Sequence, residues 1–326
     1  MKKLVLAYSG GLDTSYCLKT LSKEGYEVHA VSVNTGGFSE QEIIDQESKA
    51  MQMGASTYTS INALESFYQK IVKYLVFGNV LKNNSYPLSV SAERIIQAVE
   101  IISYAKKIGA QYIAHGSTGA GNDQVRFDLI FQVLAPGIEI ITPIRDQQLS
   151  REAEIEYLKT EGIELSWEKA QYSINQGLWG TSVGGSETLT SHQALPSSAY
   201  PSQLVESESK KITLDFEKGE LKGIDGVKGN SVALIQQFYG MQLHEGNYLD
   251  PVMRDIESFL ESSQKTVNGS VTLTLHPYRF EMEGIQSPND LMNASFGSYG
   301  EMNKGWTADD AKNNSKRTYH LWECKQ

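Results

Sequence analysis

The chain has 326 residues, enough for two domains and a sizeable core. Its 29 basic and 39 acidic residues leave a net charge of −10, which argues against a protein that wraps nucleic acid. No apolar run approaches the ~18 residues of a membrane span, and two cysteines, Cys17 and Cys324, with no CxxC pair disfavour zinc ribbons and dithiol chemistry and fit a reducing cytoplasm.

Residues 3–8 read as a buried parallel strand, broken by Ser9-Gly10-Gly11 too early for a signal peptide. A helix follows from Thr14 to Lys23, with Tyr16, Cys17, Leu18 and Leu21 on its apolar side and Gly25 behind its end. Thr14 is the expected N-cap if the turn is an ordinary one. Val28 to Val33 closes a βαβ unit, and Asn34-Thr35-Gly36-Gly37 lies at the carboxyl end of that strand, where open α/β sheets bind ligands. Next come a helix from Gln41 to Met53, a short strand Ser56 to Thr59, and helices from Glu65 to Val76 and from Ser91 to Ile108. Tyr112 to His115 is a strand that opens into a polar loop, and Ile138 to Thr142 is another. Ser150 caps a helix from Arg151 to Glu161 that Gly162 stops. Alternating strands and helices predict a doubly wound parallel sheet in a first domain, residues 1–165. Residues 166–326 read as an α+β second domain. It has a Ser/Gly/Pro-rich stretch from Gly184 to Gln203, a hairpin of Lys211 to Phe216 with Gly219 to Ile224, a helix opened by Asp250-Pro251, and strands at Ser270 to Leu275 and Tyr278 to Met282.

Four segments carry chemistry. In Ala7-Tyr8-Ser9-Gly10-Gly11-Leu12-Asp13-Thr14-Ser15, two glycines permit a sharp turn and close approach, while hydroxyls and the amides of the next helix face an anion. No Lys follows Gly11, so this is not a Walker loop. The charge must be met by backbone N–H groups, hydroxyls and a metal, which Asp13 is placed to hold or whose waters it is placed to orient. The stretch from Ala114 to Phe127 packs His115, Ser117, Thr118, Asn122, Asp123 and Arg126 around three glycines. There Asp123 suits a ligand ammonium, Arg126 a ligand carboxylate, and Thr118 and Asn122 supply hydrogen bonds, as an amino-acid substrate requires. Weaker signals are Tyr86 to Arg94, where Ser91 reads equally as a plain N-cap, and Tyr172 to Ser182, which reads as a substrate loop or a linker.

The signature Ser-Gly-Gly-x-Asp-x-Ser resembles the pyrophosphate loop (PP-loop) of the adenine nucleotide α-hydrolase-like enzymes, which cleave ATP between the α- and β-phosphates. AYSGGLDTS, AHGSTGAGNDQVRF, YSINQGLWG and GEMNKGWTADDAK, in that order, are similar to the argininosuccinate synthase family over most of the chain. The resemblance implies condensation of citrulline with aspartate in arginine biosynthesis, with ATP and Mg²⁺, through a citrullyl-adenylate, releasing AMP and pyrophosphate. It implies ATP binding by Ala7, Tyr8, Ser9, Gly10, Gly11, Leu12, Asp13, Thr14, Ser15, Val33 and Gly116, with Ser9 and Asp13 at the chemistry. Thr118, Asn122 and Asp123 would bind aspartate. Tyr86, Ser91, Asn122, Arg126, Ser173 and Ser182 would bind citrulline. The expected assembly is a cytoplasmic homotetramer with small-molecule substrates and no nucleic-acid or membrane partner. Arg94 aligns with a family arginine and receives no role; His115 reads as structural.

The sequence also departs from the family. Ala120 and Gly37 stand where many members have Lys and Gln. Around Gln237-Phe238 the chain lacks a long segment that in the family supplies a Glu and a Tyr to the citrulline pocket, and residues 313–322 differ from the family's ending. Losing a carboxylate opposite an ammonium costs about 2–5 kcal/mol. Three explanations follow: a truncated or degenerate copy, read as a nucleotide-binding pseudoenzyme; replacement of the missing groups from elsewhere in the chain or from another subunit; or a ligase for an N-acylated citrulline. A tRNA thiolase or amidotransferase-coupled synthetase would carry catalytic cysteines that this chain lacks.

Overall fold

The computed structural model describes residues 2–83, 86–118, 122–163, 172–189, 192–201, 203, 208–228, 251–276 and 279–289. Ala120, Tyr278, Cys324, the junction at Gln237-Phe238 and residues 313–322 lie outside them. The chain divides into two compact units, Met1–Val205 with Val232–Ser262, and Glu206–Ser231 with Ser263–Gln326.

The first unit is built on a parallel sheet of β1 (Lys2–Ala7), β2 (Tyr26–Asn34), β3 (Thr57–Asn62), β4 (Tyr112–Ala114) and β5 (Glu139–Ile141), in the order β3-β2-β1-β4-β5. Leu4 stands opposite Val28 on one side and Tyr112 on the other, which fixes the register of the central strand. Leu4, Val5 and Leu6 are completely buried, the continuous apolar run of a strand covered on both faces. Leu4, Leu6 and Tyr8 pack with Cys17, Leu18 and Leu21 of α1 (Leu12–Lys23) and with Ala50 of α2 (Glu40–Gln52). Burial pushes the Cys17 thiol far up, which leaves it an inert core residue. Ser39 and Glu42 form a capping box at the start of α2. The predicted helix after β3 is split into α3 (Leu64–Phe67), a π-helical turn (Tyr68–Val72) and α4 (Lys73–Phe77). The long α5 (Ser89–Ile108) packs on β1 and β2. Further on come α6 (Asp123–Leu134), the one-turn α7 (Pro143–Asp146) and α8 (Arg151–Thr160), the last capped by Ser150 as expected.

The strand order reverses between β1 and β4, which places the crevice for a ligand at their carboxyl ends. Several local expectations change. Helix α1 starts at Leu12 with Gly11 as its N-cap, so Thr14 lies inside the first turn and does not cap. Helix α5 starts at Ser89 behind Leu88, so Ser91 is an interior residue. Leu88 takes φ 60° there, a left-handed conformation costing a leucine roughly 1–2 kcal/mol, held by complete burial of its side chain. Helix α6 was not anticipated. Residues 173–184 form neither a loop nor a linker but a hairpin of β6 (Ser173–Gly177) and β7 (Gly180–Gly184). Helix α9 (Pro251–Ser263) carries Glu261, which accepts from Tyr74 Oη at 2.6 Å and pairs with Lys73 Nζ at 3.0 Å.

The second unit is an antiparallel sheet of β8 (Lys210–Glu217), β9 (Glu220–Ile224), β10 (Val227–Lys228), β11 (Gly269–His276) and β12 (Arg279–Gln286), in the order β10-β9-β8-β11-β12. Its edge strand β12 exposes Phe280, Met282 and Ile285.

Candidate active site

Residues 8–11 make the whole turn between β1 and α1. Gly10 takes φ +75°, a conformation side chains resist. Gly11 caps α1 with its backbone alone, and among the described residues no side chain takes up the first-turn amides. They therefore carry the helix's partial positive charge towards the crevice. Ser9 Oγ and Thr14 Oγ1 lie 3.2 Å apart, and Thr14 Oγ1 donates to the Gly11 carbonyl at 3.2 Å, so both hydroxyls are gathered on the turn. Tyr8 and Ser15 are different: their hydroxyls are buried and face each other, and burial pushes the Tyr8 phenol up to about 12 against the opposing effect of Ser15. Val33 is buried near the end of β2.

The second wall comes from the end of β4. A Cβ on Gly116 would stand 3.2 Å from Asp13 Cβ and from Thr14 N, so a side chain there would push this loop a few tenths of an ångström away from the start of α1. His115 anchors the loop from below. Its Nδ1 accepts from Ser117 N–H at 3.2 Å, which leaves the proton on Nε2 to meet Asp128 Oδ1 at 2.9 Å. Arg145 donates to the other oxygen of Asp128 at 2.7 Å. Burial raises the Asp128 carboxyl, but the His115 and Arg145 hydrogen bonds outweigh it and hold the group below its ordinary value. His115 is thus a buried support for the loop, as its position at a strand end suggests. Beneath the cradle sits Glu154 of α8. Burial first, and the neighbouring Asp13 second, push its carboxyl above the ordinary value.

The amino-acid side of the crevice begins where the same loop enters α6. Asp123 Oδ2 accepts from Arg94 Nε at 2.9 Å, and its Oδ1 accepts from Arg126 Nη1 at 2.8 Å. Two guanidiniums therefore clamp one carboxylate. Arg94 also donates to Gln97 Oε1 at 3.1 Å and to Asn175 Oδ1 in the hairpin. Arg94, without a role in the sequence, is the hub that joins α5, α6 and β6. Thr118 and Asn122 are exposed along the loop, Asn122 as the N-cap residue of α6.

The hairpin lies along the first turns of α5. Trp179 Nε1 donates to the Pro87 carbonyl at 2.7 Å, and Tyr86 Oη accepts from Val90 N–H at 3.1 Å. Asn175 pairs with Ser182 across the strands, so Ser173, Asn175, Gly177 and Ser182 share one face. That face meets α5: Asn175 touches Arg94, and the Gly177 Cα is packed against the carboxyl of Glu93. The structure thus unites Ser9, Asp13, Thr14 and Gly116 at the cradle. It unites Asp123, Arg126, Ser173 and Ser182 with Arg94 and Glu93 at the hairpin. Ser91 is fully buried in α5. Sequence reasoning missed Glu93 entirely, because an acid on a helix ordinarily faces water.

Residues 3–164 match the model of the arginosuccinate synthase N-terminal HUP domain, and residues 233–313 that of the arginosuccinate synthase C-terminal domain. The argininosuccinate synthase of Methanocaldococcus jannaschii is 31% identical over 363 residues, covering 91% of this chain and 91% of that protein. That aligned length exceeds the 326 residues present here, so the relative carries internal sequence that this chain lacks. The enzyme of the same name from Xanthomonas campestris is 30% identical over 386 residues, with 95% of each chain covered. That from Sulfurisphaera tokodaii is 37% identical over 235 residues, 72% of this chain and 60% of that protein. With the parallel sheet, the lysine-free phosphate cradle and two domain models matched in order, the chain belongs to the argininosuccinate synthase family.

Proposed function

We propose that this protein condenses citrulline with aspartate at the expense of ATP, giving argininosuccinate, AMP and pyrophosphate in cytoplasmic arginine biosynthesis. The observation that carries this reading is the contact of Gly116 with the start of α1. It ties an amino-acid loop, ending in Asp123, directly to a cradle for phosphates. In this reading Ala7 to Ser15, Val33 and Gly116 hold ATP, with the α1 amides and the Ser9 and Thr14 hydroxyls on its phosphates. Thr118, Asn122 and Asp123 hold aspartate. Tyr86, Ser91, Asn122, Arg126, Ser173 and Ser182 hold citrulline. The citrulline ureido oxygen attacks the α-phosphorus, pyrophosphate departs towards the cradle, and the aspartate amine then displaces AMP. Positioning and charge stabilisation suffice for this chemistry, and it calls for no strong acid–base pair.

The described residues contain no cluster of three or more metal-binding side chains. They do present one carboxylate, Asp13, in the first turn of α1. That donor set fits Mg²⁺ arriving on the nucleotide, which takes one or two carboxylates and completes its shell with phosphate oxygens and water. When bound there it would neutralise charge on the departing pyrophosphate. Arg94 and Arg126, which share Asp123, keep that carboxylate oriented until an amino group takes its place among them. We further propose a homotetramer, supported by the exposed Phe280 and Met282 on one face of an edge strand. No described helix is long and apolar enough to cross a membrane.

The direct experiment incubates the protein with Mg-ATP and aspartate, with and without citrulline, and follows AMP and argininosuccinate. Citrulline-dependent formation of both is the expected result. ATP binding without either product refutes the ligase reading in favour of a nucleotide-binding pseudoenzyme. Product formed only from N-acylated citrullines would move the substrate to that class.

A further inference from the structure

A free ureido amino acid is a zwitterion, so its site needs a cation for the carboxylate and an anion for the α-ammonium. The residues assigned above to citrulline contain one cation, Arg126, and no anion. The nearby carboxylate of Asp123 is already held by Arg94 and Arg126, one on each oxygen.

Among the described residues, Glu93 is the other carboxyl on this face. It is 2% exposed, and its Oε1 has no hydrogen-bond partner. A buried carboxyl left without a partner is costly, and native proteins rarely tolerate one without a reason. It sits one residue from Arg94 and two from Ser91, on the side of α5 that meets the hairpin. A Cβ on Gly177 would stand 1.8 Å from Glu93 Oε1, and the same point lies 3.3 Å from Thr35 Oγ1. The carboxyl is therefore aimed at the hairpin face that carries Ser173 and Ser182, beside the loop at the end of β2.

We propose that Glu93 is the anion that receives the α-ammonium of the ureido amino acid, and so the residue by which the site selects a free α-amino acid. This rests on the ligase reading for the identity of the ligand. It makes Glu93 a specificity-determining residue and gives the orphaned oxygen its partner. Burial, chiefly, and Asp123 raise this carboxyl to about 7 against the opposing effect of Arg94; Thr35 and the hairpin residues Asn175, Gln176 and Gly177 present no charge to it. A raised carboxyl is partly protonated near neutral pH, and docking an ammonium releases that proton.

The test is calorimetric binding at pH 7, with Mg-ATP present, of citrulline and of 5-ureidopentanoate, the same molecule without the amino group. Wild type and E93Q are compared, in two buffers of different ionisation enthalpy. The expected result is tighter binding of citrulline than of 5-ureidopentanoate to wild type, with proton release for citrulline alone. E93Q should weaken citrulline about 30-fold or more and 5-ureidopentanoate less than about 3-fold. Equal affinities of the two ligands for wild type, no citrulline binding at all, or an E93Q variant that loses both ligands alike overturns the proposal. Equal affinities on wild type overturn the proposal even if E93Q does not fold, and E93D, which keeps the carboxyl and shortens its reach, then takes the place of E93Q with the same expected loss of citrulline alone. Wild type that binds citrulline with this discrimination but forms no argininosuccinate defeats the ligase reading and leaves Glu93 in its role. Turnover by wild type with E93Q indifferent to the ammonium does the reverse.

Discussion

The contact between Gly177 and Glu93 can be broken from either side, which makes it a sensitive probe of the whole hairpin–helix interface. Gly177 has an ordinary negative φ, so alanine suits the backbone and, by restricting the unfolded chain, would alone stabilise by about 0.4–1 kcal/mol. The new methyl, however, would begin 1.8 Å from Glu93 Oε1 and 2.6 Å from its Cδ, where contacts under 3.0 Å do not persist. Glu93 is 2% exposed, so its carboxyl has to shift within the packing of α5 against β6. Overpacking of this kind costs about 1–3 kcal/mol. In an E93A background the obstacle is gone, and G177A should be neutral or mildly stabilising. Urea unfolding of wild type, G177A, E93A and the double variant at pH 7 measures the coupling, in which the backbone gain cancels, expected at about 1–3 kcal/mol in magnitude. A coupling below about 0.5 kcal/mol would show that the two groups do not touch in solution, and the geometry of the hairpin face would fall with it.

Other consequences can be measured separately. Because Glu93 has a folded value of about 7 against an ordinary 4.5, the folded protein binds more protons than the unfolded chain between those values, so stability falls as pH rises through that window. E93Q should lack this decline and gain about 1–3 kcal/mol on wild type between pH 4.5 and pH 8 in denaturant titrations; parallel profiles would refute it. H115A removes a buried ring that holds Ser117 and stacks on Phe127. It should cost about 2–4 kcal/mol in urea unfolding, and an unchanged midpoint would refute the anchoring role. G116A inserts a methyl 3.2 Å from Thr14 N. It should weaken ATP binding by about tenfold or more in calorimetry while leaving the unfolding midpoint near wild type; undiminished affinity would mean that this wall does not touch the nucleotide.

Much of the first unit was legible because local and global signals agree there. The apolar Leu4 to Leu6, the two glycines and the helix pattern of α1 all point to one strand–turn–helix unit. Helix α6 was hidden by its own chemistry. Asp123, Gln124 and Arg126 made the segment look like loop, although Phe127, Ile130 and Phe131 keep the spacing of a buried helical face. The β6–β7 hairpin was hidden for the opposite reason: its strands are polar and partly exposed, and the Leu178-Trp179 turn has no Asn-Gly signal. Arg94 and Glu93 could not be placed from sequence, since their meaning depends on a hairpin some 80 residues further along the chain.

The order β3-β2-β1-β4-β5 also bears on how the protein is made. The turn after β1 is complete within the first two dozen residues, yet the strand that seats Gly116 beside it arrives only at residues 112–114. Pairing strands so far apart in sequence requires closing a long loop, which slows folding and sets it late. A growing chain therefore carries a recognisable phosphate turn well before it has a site. Nucleotide affinity in this protein reports completion of the sheet rather than formation of the loop, and a bound nucleotide would favour the fully paired state over any shorter intermediate.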